Sequence, residues 1–356
     1  MEGFCYPSVP ILNKVEGHNQ QKYKGWEEMD KKKLTYLVIG AGGTGGALGS
    51  HMAHAGHNVT FIARGKHLEA MRENGLIVSR PDCEFFIAPV NAFTAEECVR
   101  RVETARNFGR YVAPDVIFVC VKGYSVDEII PFISFVAGPD TVVIPILNIF
   151  GTGSRIQERI PNVPVTDGCI YVASEIKEPG CIWMNGTILR VVFGLRKEQR
   201  WWRHKMGPVL ERVRDDLCSS GIDGILSDNI ERDCLRKFSY VSPQGACGLY
   251  YDVPAGAFKE PGEIRDCFAG LIKEVSDLAD AMGIGFGEDI VAANLKIIES
   301  LSPDMTTSLQ RDVAAGKASE IDGLIYDVVR MGKQYGVSTP LYEKISADLK
   351  KKYLSQ

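Results

Sequence analysis

The stretch TYLVIGAGGTGGALGSHMAHAGHNVTFIAR, residues 35–64, constrains the fold of this chain more than any other segment. Leu37, Val38 and Ile39 form a short unbroken apolar run, the pattern of a strand buried on both faces. Gly40, Gly42 and Gly45 follow on G-x-G-x-x-G spacing, with Ala41, Gly43 and Thr44 between them. The first glycine permits a tight turn, the second lets backbone approach a pyrophosphate, and the third lets a helix pack closely on the strand. Ala47 to Ala55 is rich in small helix formers and stops at Gly56, a C-terminal cap. Val59 to Ala63 reads as the next strand. The helix between them turns its free N–H groups and the positive end of its dipole toward a phosphate. Set between two strands in this way, the glycines specify a βαβ nucleotide-binding unit rather than a glycine-rich structural turn.

The second strand ends on Arg64. In a unit that takes NAD, an acid at this place accepts hydrogen bonds from the ribose 2′-hydroxyl. Here the chain reads FIARGKH, with no acid before Glu69. Arg64, helped by Lys66, suits a 2′-phosphate instead, so the expected cofactor is NADP(H). A solvated surface arginine is the plainer alternative.

The remaining composition bounds the partners. A chain of 356 residues suggests about two domains. Its net charge of -4 provides no general pull toward nucleic acid or anionic membranes. No apolar run reaches the roughly 18 residues of a membrane span. Residues 1–33 lack a signal-peptide core and read as a polar extension outside the fold. The ten cysteines contain no C-x-x-C pair, and several, such as Cys120 and Cys234, sit in apolar patterns. A reducing cytoplasm fits this usage. Histidines, cysteines and acids do not combine at metal-ligand spacing, so no metal is expected.

Further along, strand-like runs alternate with helical patterns as far as GILS, which implies a doubly wound sheet with an antiparallel excursion. Within it, CIWMNGTILRVVFG reads as a hairpin across Asn185–Gly186. From Asp228 onward only helical patterns remain. The expected organisation is α/β: a Rossmann-type dinucleotide-binding domain over 34–227, then an all-helical substrate and dimerisation domain over 228–356.

Polar residues at the ends of buried strands are the candidates for chemistry. Lys122 follows VIFVCV and Asn148 follows VVIPIL, both where such sheets open their ligand crevice. Lys237 lies inside the helical stripe of Ile230, Cys234 and Val241, so its ammonium must snorkel out or meet a partner. Glu320 flanks the apolar face of Ile321, Leu324, Ile325 and Val328 and is a candidate partner for it.

In this order, VKGY at Lys122, LNIFGT at Asn148, LRKFSY at Lys237 and SLQRDVAAGKASEID resemble the ketopantoate reductase (2-dehydropantoate 2-reductase) family. The likeness runs from about Leu34 almost to the carboxyl terminus. It implies that the Gly40–Gly45 loop and Arg64 hold NADPH, with Lys122, Asn148 and Glu320 also at the cofactor. It makes Lys237 the general acid, and it brings Asn148 and Ser308 to the substrate, Ser308 at its carboxylate. The implied reaction is NADPH-dependent reduction of a 2-oxoacid, ketopantoate first, by an enzyme whose candidate assembly is a homodimer. The chain departs from the family where it usually carries asparagines: Val241 stands one turn after Lys237, Gln244 or Gly245 another turn on, and Met305 before the serine. These changes point to a different branched or larger 2-oxoacid as the alternative substrate. A non-catalytic NADP(H) sensor is the alternative of another class.

Overall fold

The computed structural model describes residues 33–354; the amino-terminal extension, apart from Lys33, lies outside them. β1 (Thr35–Ile39) is buried over its last four residues. α1 (Gly43–His54) starts inside the glycine loop itself rather than at Ala47, and β2 (Asn58–Ile62) runs parallel to β1. α2 (Gly65–Asn74) ends at Gly75, whose φ of 78° is a left-handed value that glycine adopts without strain. An antiparallel pair follows, β3 (Leu76–Arg80) and β4 (Cys83–Ile87), then the short β5 (Ala92–Phe93).

α3 (Ala95–Asn107) was not among the expected elements, although its start signal is local. Thr94 accepts from Glu97 N while the Glu97 carboxylate accepts from Thr94 N, a reciprocal capping box. β6 (Val116–Val119), α4 (Val126–Val136), β7 (Val142–Pro145) and α5 (Thr152–Arg159) come next. The order β5-β2-β1-β6-β7 makes a wholly parallel sheet. Every residue of β6 and β7 is buried, which accounts for their unbroken apolar runs. The strand order reverses at β1, flanked by β2 and β6, so a crevice opens beyond the carboxyl ends there.

The expected hairpin across Asn185–Gly186 does not form. β8 (Asp167–Tyr171), β9 (Ser174–Glu178), β10 (Cys181–Met184), β11 (Arg190–Gly194) and β12 (Asp223–Leu226) divide between two further sheets, with α6 (Arg203–Ser219) leading from β11 to β12. β10 pairs with β3 and β9, whereas β11 pairs with β8 and β12. The reason is packing. Ile182 and Met184 are fully buried, and a Cβ on Gly46 would lie 2.7 Å from Ile182 Cδ1, so β10 is drawn against α1. The chain turns back at Gly180 instead, where φ is 80°.

After β12 the described chain is helical: α7 (Ile230–Tyr251), α8 (Glu263–Ala281), α9 (Ile290–Ser300), α10 (Ser308–Ala314), α11 (Asp327–Tyr335) and α12 (Pro340–Leu354). A π-helical turn, Asp322–Tyr326, leads into α11. α7 is the axis of this half. Asn229 caps its start, and Phe238, Ala246 and Cys247 are fully buried against α8 and its neighbours. The architecture is therefore α/β, a Rossmann-type amino-terminal half followed by an all-helical one. Among the described residues no helix is long and apolar enough to cross a membrane, the cysteines are free, and no cluster of His, Cys, Asp and Glu could hold a metal ion.

Candidate active site

A cavity of about 910 Å³ opens at the carboxyl ends of β1, β2, β6 and β7, with residues of the helical half as its far wall. Its floor is the glycine loop. Gly40 has φ +95° and donates its N–H to Ile62 O at 3.0 Å, which ties the turn to the end of β2. Gly42 caps α1 with no side chain, and no acid lies in the first turn, so the positive helix end faces the cavity. A Cβ on Gly45 would lie 2.1 Å from Gly40 O, and one on Gly43 2.5 Å from Ser174 O. Beside Gly42, by contrast, there is nothing within 4 Å of such an atom. The loop thus packs tightly on its protein side and is open at Gly42, which fits a pyrophosphate against bare backbone.

Arg64 lines the same cavity and is exposed, with no hydrogen bond or ion pair among the described residues. Lys66, expected to assist it, is exposed but does not line the cavity. One acid that the sequence reading overlooked, Glu96 in the first turn of α3, lies on the wall.

Lys122, past β6, stands on the wall as expected, but its partners come from the far half of the chain. Its Nζ lies 2.9 Å from Asp312 Oδ2 and 3.5 Å from Glu320 Oε2. Burial disfavours its charge, yet these two carboxylates outweigh that and raise its pKa. Glu320 is itself buried and accepts from Gly123 N at 2.9 Å. The candidate partnership of Glu320 with Lys237 is therefore corrected: Glu320 bonds Lys122 and Gly123, and reaches Lys237 only as a nearby charge. Asp312 went unrecognised in the sequence, although it follows Ser308 by one helical turn.

Lys237 is buried, and its ammonium donates to Asn148 Oδ1 at 2.7 Å and to Ile170 O, with the Tyr171 ring 5.4 Å away. Desolvation holds its pKa below the usual lysine value. Asn148 lines the main cavity; Lys237 lies behind it, on a separate small recess shared with Asp167, Cys169 and Cys234. Ser308, the first residue of α10, lines the cavity beside a Thr307–Gln310 capping box that holds the helix start. Met305 is also on the wall. Val241 is not: it packs in the helical core, so its expected bearing on the substrate, as a departure from a family asparagine, is corrected. Helical periodicity placed Val241 near Lys237, but the rotation of α7 about its own axis turns it toward neighbouring helices.

Comparison with known proteins agrees with this geometry. Residues 36–198 match the family model described as ketopantoate reductase PanE/ApbA, and residues 229–353 match its carboxyl-terminal counterpart. The chain is 25% identical over 319 residues to the uncharacterized oxidoreductase YkpB of Bacillus subtilis (strain 168), covering 89% of this chain and 98% of that one. Its fold is shared by 2-dehydropantoate 2-reductase from Methylococcus capsulatus, at a TM-score of 0.76 and 21% identity, over 90% of this chain and 97% of that one. It is shared equally by a D-mandelate dehydrogenase solved with NADH and anilino(oxo)acetate, at 0.74 and 21%, over 88% and 96%. The two family matches meet a glycine loop and a strand-end crevice shaped for a dinucleotide, and the chain belongs to the ketopantoate reductase family, nicotinamide-dependent oxidoreductases acting on CH–OH groups.

Proposed function

We propose that this protein reduces a 2-oxoacid to the 2-hydroxy acid with NADPH, and that 2-dehydropantoate (ketopantoate) is the first substrate to test. The observation that carries the reading is the contact of Lys237 Nζ with Asn148 Oδ1 at 2.7 Å: Asn148 lies on the wall of the cavity that the glycine loop and Arg64 also line, and Lys237 stands directly behind it. Bound NADPH supplies a hydride for the substrate's keto carbon. The chain's own residues do the rest. Gly40, Ala41, Gly42, Gly43, Thr44 and Gly45 present backbone to the pyrophosphate, and Arg64 takes the 2′-phosphate. Lys122 and Glu320, already paired, stand at the nicotinamide ribose. Ser308 offers its hydroxyl to the substrate carboxylate.

Lys237 is the general acid. Hydride arrival leaves negative charge on the keto oxygen, and a nearby ammonium both stabilises that charge and donates a proton. Its lowered pKa makes it a better donor near neutral pH than an exposed lysine. Asn148 stands between the ammonium and the cavity, so its side chain would have to turn aside for Lys237 to meet the substrate.

Met305 on the wall favours a second reading, a 2-oxoacid with an unhydroxylated branched or aromatic tail. An apolar wall discriminates weakly, whereas a hydrogen-bonding site rejects analogues strongly. The D-mandelate dehydrogenase of the same fold, solved with anilino(oxo)acetate, is compatible with such a tail. Following NADPH oxidation against a panel of ketopantoate, its deoxy analogue and aromatic 2-oxoacids tests both. No oxidation with any of them would leave the NADP(H) sensor as the better reading.

A further inference from the structure

Three permanently or readily charged cations line the cavity: Arg64, Lys122 and Arg311. Arg64 follows β2 as the N-cap of α2, and Lys122 is held by Asp312 and Glu320. Arg311 is different. It comes from α10, is exposed, and donates from Nη1 to Thr306 O at 2.7 Å. It forms no ion pair among the described residues. The Thr306 bond fixes one corner of the guanidinium and leaves the Nε–Nη2 edge available. That edge is the planar pair of donors that matches a carboxylate in bidentate fashion. Ser308 and Arg311 are three residues apart on α10, so they share one face of the helix, and both are on the cavity wall.

We propose that Arg311 is a specificity-determining residue that binds the substrate's carboxylate through its Nε–Nη2 edge, with Ser308 as the neutral partner on the same face. This rests on the reading of the cavity as a 2-oxoacid site. The competing role is a contact to the cofactor's phosphates. A serine hydroxyl alone is a weak anion receptor, and Lys122 is already neutralised, so the carboxylate otherwise lacks a charged partner on the helical wall.

The test uses the full chain saturated with NADP+, which fills the cofactor site without reducing an oxoacid. Binding of ketopantoate, an aromatic 2-oxoacid and the corresponding 2-oxoamides is measured by calorimetry, with NADPH affinity from fluorescence and turnover measured separately. In the unmutated protein at least one acid should bind more tightly than its amide by about tenfold or more. Arg311→Gln, which retains a donor for Thr306 O, should weaken that acid by about ten- to hundredfold and bring acid and amide together. Its NADPH affinity should stay within twofold, and the loss should appear in KM more than in kcat. Arg311→Lys should recover part of the acid preference. Unchanged acid binding in Arg311→Gln overturns the proposal, as does a loss confined to NADPH affinity. An unmutated protein that binds no acid overturns it too. Acid binding that depends on Arg311 without turnover upholds the carboxylate contact while removing the reductase reading.

Discussion

Alanine at Gly45 and alanine at Gly42 should do opposite things, although the two positions lie three residues apart in one loop. A Cβ on Gly45 would sit 2.1 Å from Gly40 O and 2.8 Å from Cys120 Cβ. Carbon–oxygen contacts settle at roughly 3.3–3.6 Å, so α1 and the turn would have to part by about 1 Å. Neither segment yields easily: Gly40 N is bonded to Ile62 O and Cys120 N to Ile39 O, at 3.0 and 2.8 Å. Overpacking of this kind costs about 1–3 kcal/mol, while alanine in a helix recovers only about 0.5–1 kcal/mol over glycine. A net loss of about 1–2 kcal/mol should lower Tm by roughly 1–3 °C in a chain of this size. At Gly42, φ is -70° and ψ is -166°, which alanine adopts freely, and its methyl would meet nothing within 4 Å. The weaker helix cap costs less than about 1 kcal/mol, and the stiffer unfolded chain returns about 0.4–1 kcal/mol. Tm should hardly move. The methyl would instead project into the space where backbone meets phosphate, and the loss of one charge-assisted hydrogen bond weakens NADPH by about tenfold or more. Thermal unfolding without cofactor and fluorescence titration of NADPH read the two effects separately. Normal NADPH affinity in Gly42→Ala, or an unaltered Tm in Gly45→Ala, would refute the assignment of these glycines.

Arg64→Ala should weaken NADPH by about ten- to hundredfold and leave NADH nearly unchanged; equal affinities of the unmutated protein for the two cofactors would remove the 2′-phosphate assignment. Lys237→Ala should lower turnover by about 10²–10⁴-fold with NADPH binding retained. Because only the protonated amine donates and burial lowers its pKa, kcat should fall on the alkaline side at a pH below the roughly 10.4 of a free lysine. A profile that stays flat to that pH would place the acid elsewhere, with Lys122 the first residue to examine. Met305→Asn should shift kcat/KM toward hydroxylated 2-oxoacids, whereas Val241→Asn, off the cavity wall, should cost stability without that shift. The reverse pattern, read from a substrate panel and thermal unfolding, would contradict the observed orientation of α7.

Much of this protein was legible along the chain because the signals are local. The βαβ unit is written in consecutive residues, since strand, tight turn and helix start each depend on neighbours within a few positions, as at Gly40–Gly45. The change from alternating to purely helical patterns after Asp228 is equally local, and it located the structural change between β12 and α7. Lys237 was recognisable because a lysine inside an apolar stripe needs a special environment wherever the helix packs. Even α3, which was overlooked, carried its Thr94–Glu97 capping box in plain sight.

Other features depend on surfaces that meet only when the chain is folded. Asn185–Gly186 is a good turn sequence, but strand partners depend on which edges and buried faces the fold brings together, and β10 pairs with β3 and packs on α1. Glu320 lies 198 residues from Lys122 and 197 from Gly123, so no local pattern could pair it with them rather than with Lys237. The same holds for Val241 and Met305: sequence defines which residues are apolar, but only the rotation of α7 and the path of the chain before α10 decide which of them faces the cavity. Sequence by itself determined the first βαβ unit with its glycine loop, the helical character after Asp228 and the candidate acid, because covalent neighbours and helical period dictate them. Tertiary structure alone decided the partners of Lys122 and Lys237, because an ionic or hydrogen-bonding contact depends on distance in space, which separation along the chain does not encode.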